Sequence, residues 1–240
     1  RHKPNQRPSW RQVVLVCVDS VSNREASMSN PLRFLNKFIM INNKEIIEKL
    51  LNFENEGDFY MLYIFKRKKD QPEGEKDNHQ SVRTIKTYAI DSVDYLNKRW
   101  DEIVGLSEFF KARVYIHIQK QNHFDVGLNM MEELAKRIRN GVYKQTHIFD
   151  SVVGQLNTKE KRWIVDVDTK DEQEVNTIKF TINDLCRPFG DKIIETIPTK
   201  NGYHLITDRF DVMSFNLSYP DVDIQKKNPT LLYYPDSLLK

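Results

Sequence analysis

The stretch Arg162–Thr169, RWIVDVDT, places two aspartates, Asp166 and Asp168, two residues apart inside an otherwise apolar run. An apolar run of this length reads as a buried strand, and carboxylates are almost never buried unless a cation pairs with them. Residues two apart in a strand project to the same face with Cα atoms roughly 6.5 to 7 Å apart, so Asp166 and Asp168 are expected to share a face. Their partner is a lysine, an arginine or a metal ion. The run leads straight into Thr169 and Glu172 at capping-box spacing, then Val175, Ile178, Ile182 and Leu185 as the buried stripe of a helix that Arg187 and Pro188 end.

Upstream, EIIEKLLNF (Glu45 to Phe53) reads as a short helix, and FYMLYIFKRKKD is aromatic and β-branched enough for a strand. Gln71 to Gln80 is polar with Pro and Gly and is expected to be a loop, which makes VRTIKTYAI the second strand of a hairpin. Asp91 or Ser92 caps a helix carrying Leu96, Trp100, Ile103, Val104 and Phe110. The strand ARVYIHIQ follows. A third helix runs from about Asp125 to Asn140, with Val126, Met130, Leu134 and Ile138 as its core face and Gly141 at its C-terminal turn. Downstream of the double aspartate, KIIETI and YHLIT are strands joined by PTKN, followed by apolar segments around Asp223 and through TLLYY.

This alternation predicts an α+β, α/β-like protein with a mixed central sheet and flanking helices. Residues 1–29 read as a peripheral or expression-derived segment. Residues 30–145 form an amino-terminal α+β portion, and residues 146–240 a core portion that is separate from it or continuous with it. With 240 residues, 39% hydrophobic and 30% charged, and 13 Phe, 10 Tyr and 3 Trp, the chain has the material of a folded core rather than of a disordered one. A net charge of +3 is too small to require a polyanionic partner, so local clusters carry that question. Cys17 and Cys186 lack metal-site spacing and read as buried thiols. The apolar run Val13 to Val18 is too short to span a bilayer, and a cytoplasmic location, in a bacterial or phage-infected cell, is expected.

Hard cations such as Mg²⁺ or Mn²⁺ favour carboxylate oxygens and share their remaining sites with substrate phosphates. Asp166 and Asp168 are a minimal holder, and a third acid is expected further along. Asp223, flanked by Val222 and Ile224, is the first candidate and Asp221 its competitor. Between them lies PTKNGYHLI, where Gly202 admits close backbone approach to a ligand and Lys200 and His204 supply donors to phosphate oxygens. Carboxylate-held cations facing such donors suit two-metal nucleotidyl transfer.

Taken in order, Ile164 to Asp168, Thr199 to His204 and Val222 to Ile224 resemble the three motifs of the archaeo-eukaryotic primase superfamily, in particular the primase-polymerase-like domains of phages and plasmids. The resemblance implies a primase-polymerase-like catalytic core in which Asp166, Asp168 and Asp223 are catalytic and bind Mg²⁺ or Mn²⁺. It implies that Thr199, Lys200 and His204 bind the incoming nucleotide. The expected activity is a metal-dependent nucleotidyltransferase of DNA replication, taking nucleoside triphosphates on a single-stranded DNA or RNA template. A helicase or other replication proteins are the expected partners, and a membrane is not. Lys66, Arg67, Lys68 and Lys69 would suit the template backbone.

Blander readings stand beside these. Asp166 and Asp168 could pair with Arg162, Lys170 or more distant lysines as a structural network. His204 could be a satisfied core histidine, Lys200 a solvated turn lysine, and the Lys66–Lys69 cluster a solvated strand end. The functional alternatives are a metal-dependent nuclease and a catalytically degenerate protein that binds nucleic acid or a replication partner.

Overall fold

The chain divides into two units, Arg1–Lys37 and Phe38–Lys240. The structure, a computed structural model, describes residues 41–71, 82–156 and 160–238, all in the second unit. The expected peripheral segment, Cys17 and nearly all of the expected loop Gln71 to Gln80 lie outside the described residues.

The fold is α+β, and among the described residues every strand pairing is antiparallel, in two sheets rather than the single mixed sheet expected from the alternation of elements. The strands of the first sheet are β1 (Ile41–Asn42), β2 (Asp58–Arg67), β3 (Val82–Ile90), β4 (Arg113–Ile116), β5 (Gln121–Asn122) and β10 (Thr230–Tyr234). They run in the order β1-β10-β4-β2-β3, with β5 pairing the start of β2. The second sheet has the order β7-β8-β6-β9, from β6 (Trp163–Val167), β7 (Ile193–Pro198), β8 (Tyr203–Thr207) and β9 (Asp223–Gln225). Because β10 pairs with β4, the last of the described strands is built into the sheet of the amino-terminal portion.

Six α-helices lie among the described residues: α1 (Lys44–Leu50), α2 (Val93–Phe110), α3 (His123–Arg139), α4 (Ile148–Gln155), α5 (Glu172–Phe180) and α6 (Val212–Ser218). None is long and apolar enough to cross a membrane. Ser92 caps α2 by accepting from the Tyr95 N–H at 3.1 Å. The cap of α5 is Asp171, which accepts from the Gln173 N–H, rather than Thr169. Thr169 instead accepts from the N–H of Asp171 one turn earlier, since a residue two positions closer to the helix satisfies its first donors more directly.

Two apolar stripes break where the sequence pattern continues. After Phe180 the chain makes a wider π turn over Thr181–Leu185, closed by Cys186 N–H to the Thr181 carbonyl at 3.0 Å. That extra residue rotates Leu185 to the surface and puts Cys186 into the core in its place. In α3, Val126 is buried and Met130 packs against Phe59 and Met61, but Leu134 and Ile138 are exposed, so only the first half of the expected core face is covered. The helices α4 and α6 are additions to the expected elements; Val152 and Val153 of α4 join the same cluster as Met130.

Strand β6 separates two cores. Its odd-numbered Val165 and Val167 pack with Val175, Ile178, Ile182 and Phe215 from α5, the π turn and α6. Its even-numbered Ile164 points the other way and joins Ile197 and Ile206 with the residues of the first sheet, including Leu62, Val114 and Leu232. Asp166 shares the parity of Ile164, so the charge interrupts the face turned towards the first sheet.

Candidate functional site

Across the second sheet one row of residues is in direct register: Ile197 on β7, His204 on β8, Asp166 on β6 and Asp223 on β9. Antiparallel partners on one face bring their side chains together. Asp166 thus stands between a histidine and a second aspartate, while Asp168 lies just past the end of β6 and is exposed. Asp223, not Asp221, is the strand partner; Asp221 sits in the turn before β9, in a concavity with Val212 and Pro220 that Asp223 also lines.

Three acids in one place show in the chemistry of the central one. Burial pushes the Asp166 carboxyl above the ordinary carboxylate range, and the charges of Asp168 and then Asp223 push it further, against an opposing pull from Arg67. Gln225, two residues beyond Asp223, bridges two of the carboxylates: its Nε2 donates to Asp223 Oδ2 at 2.8 Å and to Asp166 Oδ2 at 3.4 Å. Among the described residues no three His, Cys, Asp or Glu side chains form a preformed metal cage. The donor chemistry nonetheless fits a hard divalent cation, because the oxygens are carboxylates, their charge is undercompensated, and one amide N–H₂ already contacts two of them.

His204 is buried, with Nδ1 2.9 Å from the hydroxyl of Thr230 on β10 and Nε2 3.5 Å from Asp166 Oδ1. Burial, with a smaller contribution from Arg67, lowers its pKa to about 4, so at neutral pH the ring is uncharged and the contact with Asp166 is not an ion pair. The carboxylate beside Nε2 favours the tautomer with its proton there, leaving Nδ1 to accept from Thr230.

The opposite wall comes from the first sheet. Asp166, Asp168, His204, Thr199, Lys200 and Asn201 enclose a cleft of about 140 Å³ with Arg67 at the end of β2, Arg113 and Tyr115 on β4, and Leu231 and Tyr234 on β10. Each cation there rests on an aromatic ring. Arg67 lies over Tyr115 at 5.5 Å, Arg113 over Tyr234 at 4.8 Å and Lys200 over the same Tyr234 at 5.5 Å. Arg113 is also held by a buried ion pair to Asp70 at 2.8 Å, yet its Nε has no hydrogen-bond partner.

The hairpin carrying Lys200 is fixed by Thr199 and Gly202. The Thr199 N–H donates to the Gly202 carbonyl at 2.8 Å, and the Thr199 hydroxyl accepts from the Gly202 N–H at 3.1 Å. A Cβ on Gly202 would lie 1.9 Å from the Val167 carbonyl oxygen and 2.7 Å from the Thr169 nitrogen. The glycine therefore admits the backbone that carries Asp168, not a ligand as expected, and it locks the hairpin against β6.

Of the residues singled out in the sequence, Asp166, Asp168, Thr199, Lys200, His204 and Arg67 line one cleft, and Asp223 joins through its pairing with Asp166. The basic cluster divides: Arg67 faces the acids, Lys66 and Lys68 do not line the cleft, and the Lys69 side chain lies outside what is described. Arg113, Tyr115, Tyr234, Thr230 and Gln225 were not anticipated. Only Gln225, two residues from Asp223 on the same strand, carried a local signal, since i and i+2 share a face. Comparison with known proteins finds no matching family model, no matching curated protein and no matching solved structure.

Proposed function

We propose that the protein is a metal-dependent nucleotidyltransferase of primase-polymerase type, joining nucleoside triphosphates on a nucleic-acid template. The observation that carries this reading is the cross-strand row Asp223–Asp166–His204, with Lys200 on the hairpin of the same sheet, and the cleft in which Asp166, His204 and Lys200 face Arg67 and Arg113 of the first sheet. An acidic wall facing a cationic wall is complementary to a triphosphate chelated by divalent cations, which presents positive charge on one side and phosphate oxygens on the other.

In this reading Asp166, Asp168 and Asp223 would hold Mg²⁺ or Mn²⁺. Bound there, the cations supply charge neutralisation for the triphosphate and for the attacking hydroxyl. Arg67 from the opposite wall and Lys200 from the hairpin beside the acids orient non-bridging oxygens, with Tyr115 and Tyr234 limiting their side-chain freedom. The neutral His204 presents Nε2–H at the boundary between the two walls, where it donates to a phosphate oxygen without adding a charge. Thr199 acts through the hairpin, keeping Lys200 in place.

A second reading, a degenerate relative that binds nucleic acid without catalysis, is favoured by Gln225, whose amide donates to both Asp166 and Asp223. The two separate in one experiment. Purified protein is incubated with labelled ribo- and deoxynucleoside triphosphates, primed and unprimed single-stranded templates, and Mg²⁺ or Mn²⁺. Template-dependent incorporation by wild type that is lost in Asp168→Asn supports transfer. Oligonucleotide binding with no incorporation under any of these conditions leaves the binding-only reading, and template cleavage leaves the nuclease.

A further inference from the structure

At the start of β6, three residues before Asp166, a second cleft of about 350 Å³ is lined by Lys161, Arg209, Lys226, Lys227, Trp163 and Leu156, with Gln119 behind them. Four of these side chains are cations and none is an acid. Basic residues on a surface ordinarily scatter or pair with carboxylates, because like charges gathered around one concavity repel and desolvate one another. The known engagements of these four are weak for their charge: Lys226 lies over the Trp163 ring at 4.9 Å, and Lys227 donates to the Gln155 carbonyl at 3.2 Å. Lys226, Lys227 and Arg209 are exposed.

The concavity is held by its backbone rather than by ions. The buried Gln119 amide donates to the carbonyl of Arg162 at 3.0 Å and to that of Lys226 at 2.6 Å, tying the loop after β4 to the entry of β6 and the exit of β9. Trp163 is braced from behind by Phe210 at 5.6 Å, edge to face. A rigid concave frame carrying four cations and an indole matches a chain of phosphates joined by apolar sugars and bases better than it matches a single anion.

We infer that this cleft binds the sugar-phosphate backbone of single-stranded nucleic acid. The inference rests on the template required by the proposed reaction and locates it: the three-residue step from Trp163 to Asp166 spans about 10 Å along the strand. Trp163 and Asp166 project from opposite faces of β6, so a strand lying in the cleft leaves the triphosphate side free and reaches the acids around the end of β6. The basic residues at the end of β2 are not needed for this contact.

The test is fluorescence anisotropy of a labelled single-stranded oligonucleotide with EDTA present and triphosphate absent, so that binding is read independently of catalysis. Two charge-neutralised pairs are compared with wild type, Lys226→Gln with Lys227→Gln and Lys161→Gln with Arg209→Gln. A control pair of equal charge change lies on and after α2, Lys98→Gln with Lys111→Gln. Thermal melts verify that each remains folded. Each cleft pair should bind about tenfold more weakly, and its plot of log K against log salt should be shallower by about 1.4, from two lost phosphate contacts at about 0.7 each. The control pair should follow wild type. Absence of oligonucleotide binding by wild type, equal binding by the cleft pairs, equal loss in the control pair, or displacement of the oligonucleotide by polyglutamate as readily as by unlabelled oligonucleotide would each overturn the inference. Intact, cleft-dependent binding in a protein that incorporates no nucleotide would support it while removing the transferase reading.

Discussion

Asp166 on β6 and Asp223 on β9 are direct register partners, and the amide of Gln225 donates to both carboxylates. Two acids facing each other across antiparallel strands repel, and Asp168 adds a third charge nearby. Burial first, and then repulsion from Asp168 and Asp223, raises the pKa of Asp166. A folded-state carboxyl pKa above its unfolded value means that the ionised group costs stability at neutral pH.

Asp166→Asn should therefore leave the metal-free protein as stable as wild type or more so, while abolishing the rise in melting temperature that Mn²⁺ gives wild type. Differential scanning fluorimetry with and without Mn²⁺ reads both. A large loss of stability in the metal-free variant would instead identify Asp166 as a member of a structural salt-bridge network.

Gly202→Ala should destabilise the protein by roughly 2 kcal/mol or more, because its Cβ would collide with the Val167 carbonyl and Thr169 backbone, which cannot rotate away. Chemical denaturation measures this. The same shift moves Lys200 and Asp168 apart, so any activity should fall further than stability alone accounts for.

Lys192 is buried, and its Nζ donates to the carbonyls of Asn183, Cys186 and Gly190 around the π turn. Lys192→Met keeps most of the volume but leaves three carbonyls without their charged donor. A loss of roughly 3 kcal/mol in urea unfolding is expected, since hydrogen bonds to charged groups are each worth about 1.5 to 3 kcal/mol.

His117, at the end of β4 beside Tyr63, has its pKa lowered by burial to about 4. The unfolded chain binds a proton on this ring below about 6.5, and the folded protein does not until about 4. Stability should therefore be full above about pH 6.5 and fall as the pH drops towards 4. The loss is at most about 3 kcal/mol from this group, less where its exposed edge stays solvated. Unfolding midpoints for wild type and His117→Gln across that window should differ in slope, with the variant flatter.

How much of this was legible in the sequence depends on the distance over which each feature is decided. The alternation in WIVDV placed Asp166 opposite Val165 and Val167, and the hairpins of β2 with β3 and β7 with β8 followed from apolar runs separated by turn residues. The cationic wall was not legible. It forms because β10 pairs with β4, bringing Tyr234 beside Arg113 from more than a hundred residues away, a pairing that no local period encodes. The exposure of Leu185 turned on one extra residue in a helical turn, and Leu134 and Ile138 of α3 are exposed as well; in both places the apolar period in the sequence continues unchanged.

In the proposed site Asp166, Asp168 and Asp223 hold divalent cations against a triphosphate oriented by Arg67, Lys200 and His204. The most direct measurement is a crystal structure with Mn²⁺ and a non-hydrolysable nucleoside triphosphate, with manganese located by anomalous scattering. The predicted result is anomalous density in contact with Asp166 and Asp168, the Gln225 amide displaced, and phosphate oxygens within hydrogen-bond distance of Lys200 and His204 Nε2. Triphosphate bound elsewhere on the protein, or anomalous density absent from these carboxylates at saturating Mn²⁺, would contradict it.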